Sequence, residues 1–178
     1  ARLNAAARRM ALPELAEEDF VASLVDLVRA DAAWVPSGEG ESLYLRPFAF
    51  ASEAFLGVRP SAVVDYYVIA SPAGSYFPHG LEPVSIWVTT EYHRAGRGGT
   101  GAAKTGGNYA SSLLPQQEAY AQGCDQVCFL DDVSQKNIEE LGGMNIMVVD
   151  ADGTVRTPRL TGTILEGSTR SAIIRLLR

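Results

Sequence analysis

Histidine, cysteine and lysine are the scarce residues of this sequence, with two of each: His79 and His93, Cys124 and Cys128, Lys104 and Lys136. Two cysteines are too few for a disulfide framework. The histidines share no ligand spacing, so a metal-free protein is expected. Basic charge is also short. Fifteen Lys and Arg against 21 Asp and Glu leave a net charge of -6, which argues against a nucleic-acid-binding surface. No apolar run is long enough to span a bilayer, and the opening Ala1-Arg2-Leu3-Asn4 lacks the hydrophobic segment of a secretory signal. The early arginines fit an amphipathic first helix better than a transit peptide, and a cytoplasmic protein with no membrane partner is the expectation. An initiating Met is missing, as is a capping signal after Ser171–Arg178, so the chain reads as part of a longer protein.

What is present is an ordinary globular composition. At 178 residues and 47% hydrophobic content, roughly 70% of the unfolded surface is buriable, enough for one or two small domains without metal or disulfide staples. Residues 2–11 suit a short helix closed by Pro13. Leu15, Phe20, Leu24, Leu27 and Val28 recur at helical spacing over 14–33, with acids near the positive end of the helix dipole. Strands are predicted at 42–51 and 62–70, then a Pro/Gly-rich connection over 71–83. A strand at 84–90, a glycine-rich loop at 95–107 and a helix at 109–122 follow, the helix ended by Gly123 and interrupted by Pro115. Strands at 126–130 and 144–149, a hairpin turn at Asp152-Gly153, a strand at 154–160 and a helix at 170–178 complete the reading. Consecutive strands mixed with helices point to an α+β fold rather than a doubly wound sheet. The expected division is a small lobe at 1–72, an inter-lobe loop at 73–83 and a larger lobe at 84–178.

Three stretches carry possible chemistry. In Gly96-Arg-Gly-Gly-Thr-Gly-Ala-Ala-Lys-Thr-Gly-Gly-Asn-Tyr109 a lone lysine stands among small residues, where it can meet a ligand at close range; a surface loop is the plain alternative. Gly98 to Thr105 nearly fits a phosphate-loop pattern, with Ala103 in place of the second glycine. That reading is disfavoured, because Gly106-Gly107 is expected to break a helix starting at the lysine and the preceding strand ends too early. Glu166-Gly-Ser-Thr-Arg170 opens the last predicted helix and offers N–H groups to an anion, or simply an N-cap. A lysine amine forms Schiff bases, and a cofactor aldehyde with a phosphate handle would use both places. Such a cofactor also needs a carboxylate beside its pyridine nitrogen. Glu139 and Glu140 offer one acid to each side of a strand, although such a pair is usually just solvated.

Taken together, these stretches resemble the branched-chain amino-acid aminotransferases of the fold-type IV pyridoxal-phosphate family, especially the actinobacterial kind, over essentially Arg2 to Arg178. The motifs are Leu43-Tyr-Leu-Arg-Pro47, Ser71-Pro-Ala-Gly-Ser-Tyr-Phe77, Gly99-Thr-Gly-Ala-Ala-Lys-Thr-Gly-Gly-Asn-Tyr109, Glu139-Glu-Leu-Gly-Gly-Met-Asn145 and Glu166-Gly-Ser-Thr-Arg170. The resemblance implies that Lys104 carries pyridoxal 5'-phosphate as a Schiff base and shuttles the substrate proton. It implies that Glu140 pairs with the pyridine nitrogen, Tyr109 lies near the ring oxygen and Leu165 packs on the ring face. Arg2, Ser168 and Thr169 correspond to the phosphate grip, and Tyr44, Arg46 and Tyr76 to the substrate side, with Arg46 suited to the far carboxylate of glutamate. The implied reaction exchanges the amino group of leucine, isoleucine or valine with 2-oxoglutarate, in a homodimer. D-amino-acid transamination and aminodeoxychorismate lysis keep the fold but fit the motifs less well, and a catalytically incomplete piece of the enzyme is the rival of another class. Departures are Ser168, where the family commonly has Ile or Val, Pro115 in its helix, and the family's segments before Arg2 and after Arg178, the latter carrying a further phosphate-binding turn. Cys124 and Cys128 do not occupy the place of the redox pair of animal relatives and read as structural thiols.

Overall fold

A computed structural model describes residues 1–74, 80 and 82–178. The chain forms two compact units, Ala1–Glu82 and Pro83–Arg178.

The first unit opens with helix α1 (Arg2–Arg9), followed by α2 (Glu17–Ala30) and a 3-10 turn at Ala32–Trp34. Helix α2 starts three residues later than predicted, because the backbone of Leu15 is taken by a side chain. Asn4 donates to the Leu15 carbonyl at 2.7 Å and accepts from its N–H at 3.1 Å, which holds this stretch extended outside the helix. Glu17, Glu18 and Asp19 then fill the first turn, where negative charge meets the positive helix end. Phe20, Leu24, Leu27 and Val28 form its half-buried stripe as the spacing predicts, and Ser23 Oγ meets Tyr66 Oη at 3.0 Å. Strands β1 (Ser42–Ala51) and β2 (Val64–Ala73) pair antiparallel, Tyr44 opposite Ser71 and Arg46 opposite Ile69.

Strand β2 departs from its predicted span at both ends. Its start is delayed because Ala62 N–H is taken by Glu53 at 2.7 Å and Ser61 Oγ bonds Val63 O at 2.6 Å. It then runs through Ser71-Pro72-Ala73, which the proline had assigned to the connection. In a two-stranded sheet both strands are edges, so Pro72 and Pro47 need no ladder N–H on their open sides.

In the second unit, β3 (Ile86–Thr89) runs parallel to β4 (Gln126–Leu130), and β5 (Ile138–Leu141) pairs antiparallel with β4. Helix α3 (Gly106–Ala121) is the crossover between the parallel strands. Its inner face and β4 make the core: Ala119, Val127 and Phe129, with Trp87, Tyr92 and Cys124 packed against it. Pro115 lies inside α3 with its ring fully buried. Gly123, at φ +75°, takes the left-handed turn after the helix, and Cys124 N–H bonds back to Ala119 O. Both thiols are free, and burial pushes that of Cys128 upward, away from the reactive thiolate.

Strands β6 (Val148–Val149) and β7 (Val155–Arg156) form the hairpin predicted at Asp152-Gly153, with Gly153 at φ +83°. Both are shorter than the sequence predicts. Helix α4 (Ser168–Leu176) ends the chain. Helices and strands mix as an α+β fold. Among the described residues no helix is long and apolar enough to cross a membrane, and no three His, Cys, Asp or Glu side chains gather to hold a metal.

Candidate active site

The glycine-rich loop is closed by one buried residue. Asn108, in the first turn of α3, donates to Thr100 O and Ala103 O, each at 2.8 Å, and accepts from Thr100 Oγ1 at 2.7 Å. The expectation that Gly106-Gly107 breaks a helix here is wrong: α3 starts at Gly106, with Thr105 as its N-cap residue. The first N–H groups of a helix need no helical partner, and Asn108 anchors the turn from behind. Phosphate-loop geometry still fails on the other count, since β3 ends at Thr89, well before Gly98.

Past the anchored stretch Lys104 projects exposed. Its Nζ donates to Tyr109 Oη at 2.7 Å and lies 4.9 Å from the centre of that ring. Gly101 is obligatory, because a Cβ there would fall 2.1 Å from Thr163 O. The loop and the segment 162–165 are in backbone contact, and Ala102 N–H bonds Gly162 O at 3.1 Å.

The two acids of β5 are both buried. Glu140 is 3% exposed and forms an ion pair with Arg94, itself 4% exposed, at 2.9 Å. Its Oε1 accepts from Asn145 Nδ2 at 2.6 Å and its Oε2 from Leu165 N–H at 3.3 Å. Burial pushes the Glu140 carboxyl upward, against the Arg94 charge and the Leu165 N–H, which pull it down. Glu139 faces Thr163, whose hydroxyl donates to its Oε1 at 2.7 Å, while its Oε2 is buried without a partner. Burial raises this carboxyl too.

An ionised carboxylate has about four acceptor positions. Asn145 and the Leu165 N–H occupy two at Glu140, with the Arg94 charge beside its Oε2, leaving acceptor capacity for a protonated ring nitrogen. The donor set therefore fits a pyridine cofactor.

Leu165 is half-buried, and its carbonyl accepts from Asn145 at 2.9 Å. Gly167 is the N-cap residue of α4, with no side chain bonded into the first turn. The N-cap alternative for Ser168 and Thr169 is thereby corrected: both lie exposed inside the first turn, so its N–H groups are open to an anion, unblocked by a side-chain cap. Arg170 ties α4 to the β7 side through Thr157 Oγ1 at 3.2 Å and Pro158 O at 2.9 Å.

Lys104, Tyr109, Glu140, Leu165, Ser168 and Thr169 all belong to the second unit; Arg2, Tyr44 and Arg46 belong to the first. Arg2 is exposed as the first residue of α1. Arg46 lies with its guanidinium 5.3 Å from the Tyr44 ring centre, on an open groove lined also by Ile69 and Ser71. Tyr76 lies outside the described residues. Sequence reasoning gave Arg94, Asn145 and Thr163 no role. Arg94 had no local signal, since Glu91 and His93 separate it from β3 and Arg97 follows it.

The family described as amino-transferase class IV matches residues 1–178. The chain belongs to that family. This class IV amino-transferase chain is 56% identical over 180 residues to the branched-chain-amino-acid aminotransferase of Mycobacterium tuberculosis, a match spanning 99% of the chain and 49% of that protein. The chain thus spans about half the length of the curated relatives it matches. Among solved structures, the branched-chain aminotransferase of the archaeon Thermoproteus uzoniensis with norvaline superposes with a TM-score of 0.82 at 29% identity, over 98% of this chain and 56% of that one. An aminotransferase from Brucella abortus bound to the cofactor PLP gives 0.78 at 27% identity, over 100% and 60%. The fold of this class IV amino-transferase chain is fold type IV.

Proposed function

We propose that this class IV amino-transferase chain carries the reactive lysine of a pyridoxal-phosphate enzyme exchanging the amino group of leucine, isoleucine or valine with 2-oxoglutarate, as a cytoplasmic homodimer. The observation that carries the reading is one exposed lysine amine, held by a tyrosine, in the same unit as a buried, multiply bonded carboxylate and an open helix N-terminus. The 56% identical relative of that name, and the similar structures with norvaline and with PLP, support the substrate and cofactor class.

Bound in such a site, pyridoxal phosphate supplies an aldehyde for the amino group and a ring that takes up the electron pair of the substrate's alpha carbon. Lys104 is the group that binds covalently and then moves the alpha proton. Tyr109 orients the amine through its 2.7 Å hydrogen bond. Glu140 holds negative charge at one ring nitrogen and keeps it protonated. The N–H groups of Ser168 and Thr169, at the positive end of α4, would hold the phosphate, and the resemblance assigns Arg2 to the same group. The resemblance assigns Tyr44, Arg46 and Tyr76 to the substrate side.

The test is chemical trapping. Loading the full-length protein with pyridoxal phosphate, reducing with borohydride and mapping peptides should place the adduct on Lys104, and Lys104→Ala should abolish it. An adduct on Lys136 would overturn the assignment.

A further inference from the structure

We propose that Arg94 is the positioning residue of this site: its single guanidinium holds the lysine loop, the 162–165 segment and the Glu140 carboxylate in one register. This rests on the pyridoxal-phosphate reading above. Arg94 Nη1 donates to Gly101 O at 3.2 Å and Thr163 O at 3.0 Å, and Nε lies 2.9 Å from Glu140 Oε2. Each contacted segment delivers a functional group. Gly101 is three residues before Lys104, Thr163 is two before Leu165, and Glu140 is itself the acid.

The arrangement is more demanding than an ion pair. A buried ion pair alone is a poor stabiliser, often no better than apolar groups of the same volume, and its best-attested use is to specify one arrangement. Here Nη1 donates to two carbonyls from separate parts of the chain while the planar guanidinium fork sets its charge against a carboxylate from a third, a fixed geometry that a flexible ammonium does not preset. The fork is itself fixed to α3, because Ser111 Oγ donates to Arg94 O at 3.2 Å. Gly101 shows how little slack there is: one added methyl would meet Thr163 O at 2.1 Å. Glu139 feels the Arg94 charge but makes no ion pair with it among the described residues; its Oε1 is engaged by Thr163.

Arg94→Lys in the full-length protein keeps the charge and removes the fork. Two readouts separate positioning from mere folding: the thermal midpoint without cofactor, and a pyridoxal-phosphate titration followed by the visible band of the lysine-bound cofactor. The variant should melt cooperatively and bind the cofactor at least about tenfold more weakly, a loss of roughly one charge-assisted hydrogen bond. Its borohydride-trapped yield at Lys104 should fall at subsaturating cofactor. If Arg94→Lys does not fold, Arg94→Gln decides by the same titration, since it keeps donors for the Gly101 and Thr163 carbonyls and removes the charge facing Glu140. Unchanged cofactor affinity in a folded variant overturns the positioning role while leaving the lysine assignment standing. A parent protein that takes up no pyridoxal phosphate at all overturns the reading beneath it.

Discussion

Two basic side chains of this chain are held in opposite ways, and the difference follows their proposed work. Arg94 is 4% exposed, with Nη1 bonded to Gly101 O and Thr163 O and its charge paired with Glu140. Arg46 is exposed on β1, resting over Tyr44 with its Nη2 3.4 Å from the phenol oxygen, and no carboxylate pairs with it among the described residues. A cation–π contact at an exposed position is worth about 0.5–1 kcal/mol, so this arginine is free to leave its ring for a stronger partner. A side-chain carboxylate is such a partner, while an aliphatic side chain is not. Arg46→Ala should therefore raise KM for 2-oxoglutarate by about tenfold or more, the loss of one charged hydrogen bond of roughly 1.5–3 kcal/mol. KM for leucine should stay within about threefold. Steady-state kinetics of both half-reactions checks this, and equal losses for the two substrates would return Arg46 to a structural place on the strand.

Among the elements, those with a simple period were legible and those defined by distant partners were not. The alternation of Leu43 and Leu45 with Tyr44 and Arg46 gave β1 its bounds, and the apolar run Gln126–Leu130 gave β4. Strand β5 was legible only as a strand placing Glu139 and Glu140 on opposite sides, without bounds, because Ile138-Glu-Glu-Leu141 carries two charges in four residues. Those acids are buried only because Arg94, Asn145, Thr163 and Leu165 come to them from elsewhere in the chain. The site was legible through its glycine-rich loop and lysine, but the second layer that holds Glu140 had no local signature.

Helix α4 shows how tightly that layer is built. A Cβ on Gly167 would fall 2.1 Å from Asn145 Oδ1. The backbone there, at φ -71°, accepts alanine without strain, so any effect must come through Asn145. That side chain cannot simply swing away, being bonded to both Glu140 and Leu165 O. Gly167→Ala should thus weaken pyridoxal-phosphate binding about tenfold, with a helix cost of only a few tenths of a kcal/mol up to about 1. Cofactor titration beside a thermal melt tests it; a melt that drops while affinity holds would show that α4, not Asn145, absorbs the methyl.

At the scale of the molecule, the two acids of β5 set a pH dependence of stability. Burial raises both carboxyls above their ordinary range, so the folded state holds their protons more firmly than the unfolded chain does. Stability from such groups is fully present below the usual carboxylate pKa and is lost as pH rises through the raised folded value. Glu140 is compensated by Arg94, and neutralising it would leave a buried guanidinium unpaired, so it is the wrong probe. Glu139 is the clean one. Its Oε2 has no partner among the described residues, and Asp131 and Asp132 add repulsion to the cost of its burial, which outweighs the pull of the Thr163 hydroxyl and of Arg94. Glu139→Gln keeps an acceptor for the Thr163 hydroxyl and replaces a buried charge with a neutral amide, which costs less to leave unpaired. The variant should melt above the parent at pH 8, by about 2–4 °C for each kcal/mol recovered at this chain size. The gap should close as pH falls toward about 4.3, the ordinary glutamate value. Melting curves of the two proteins without cofactor from pH 4.5 to 8 make the comparison. Curves that stay parallel across that range would mean that Glu139 titrates as it does in the unfolded chain and that its burial carries no electrostatic cost.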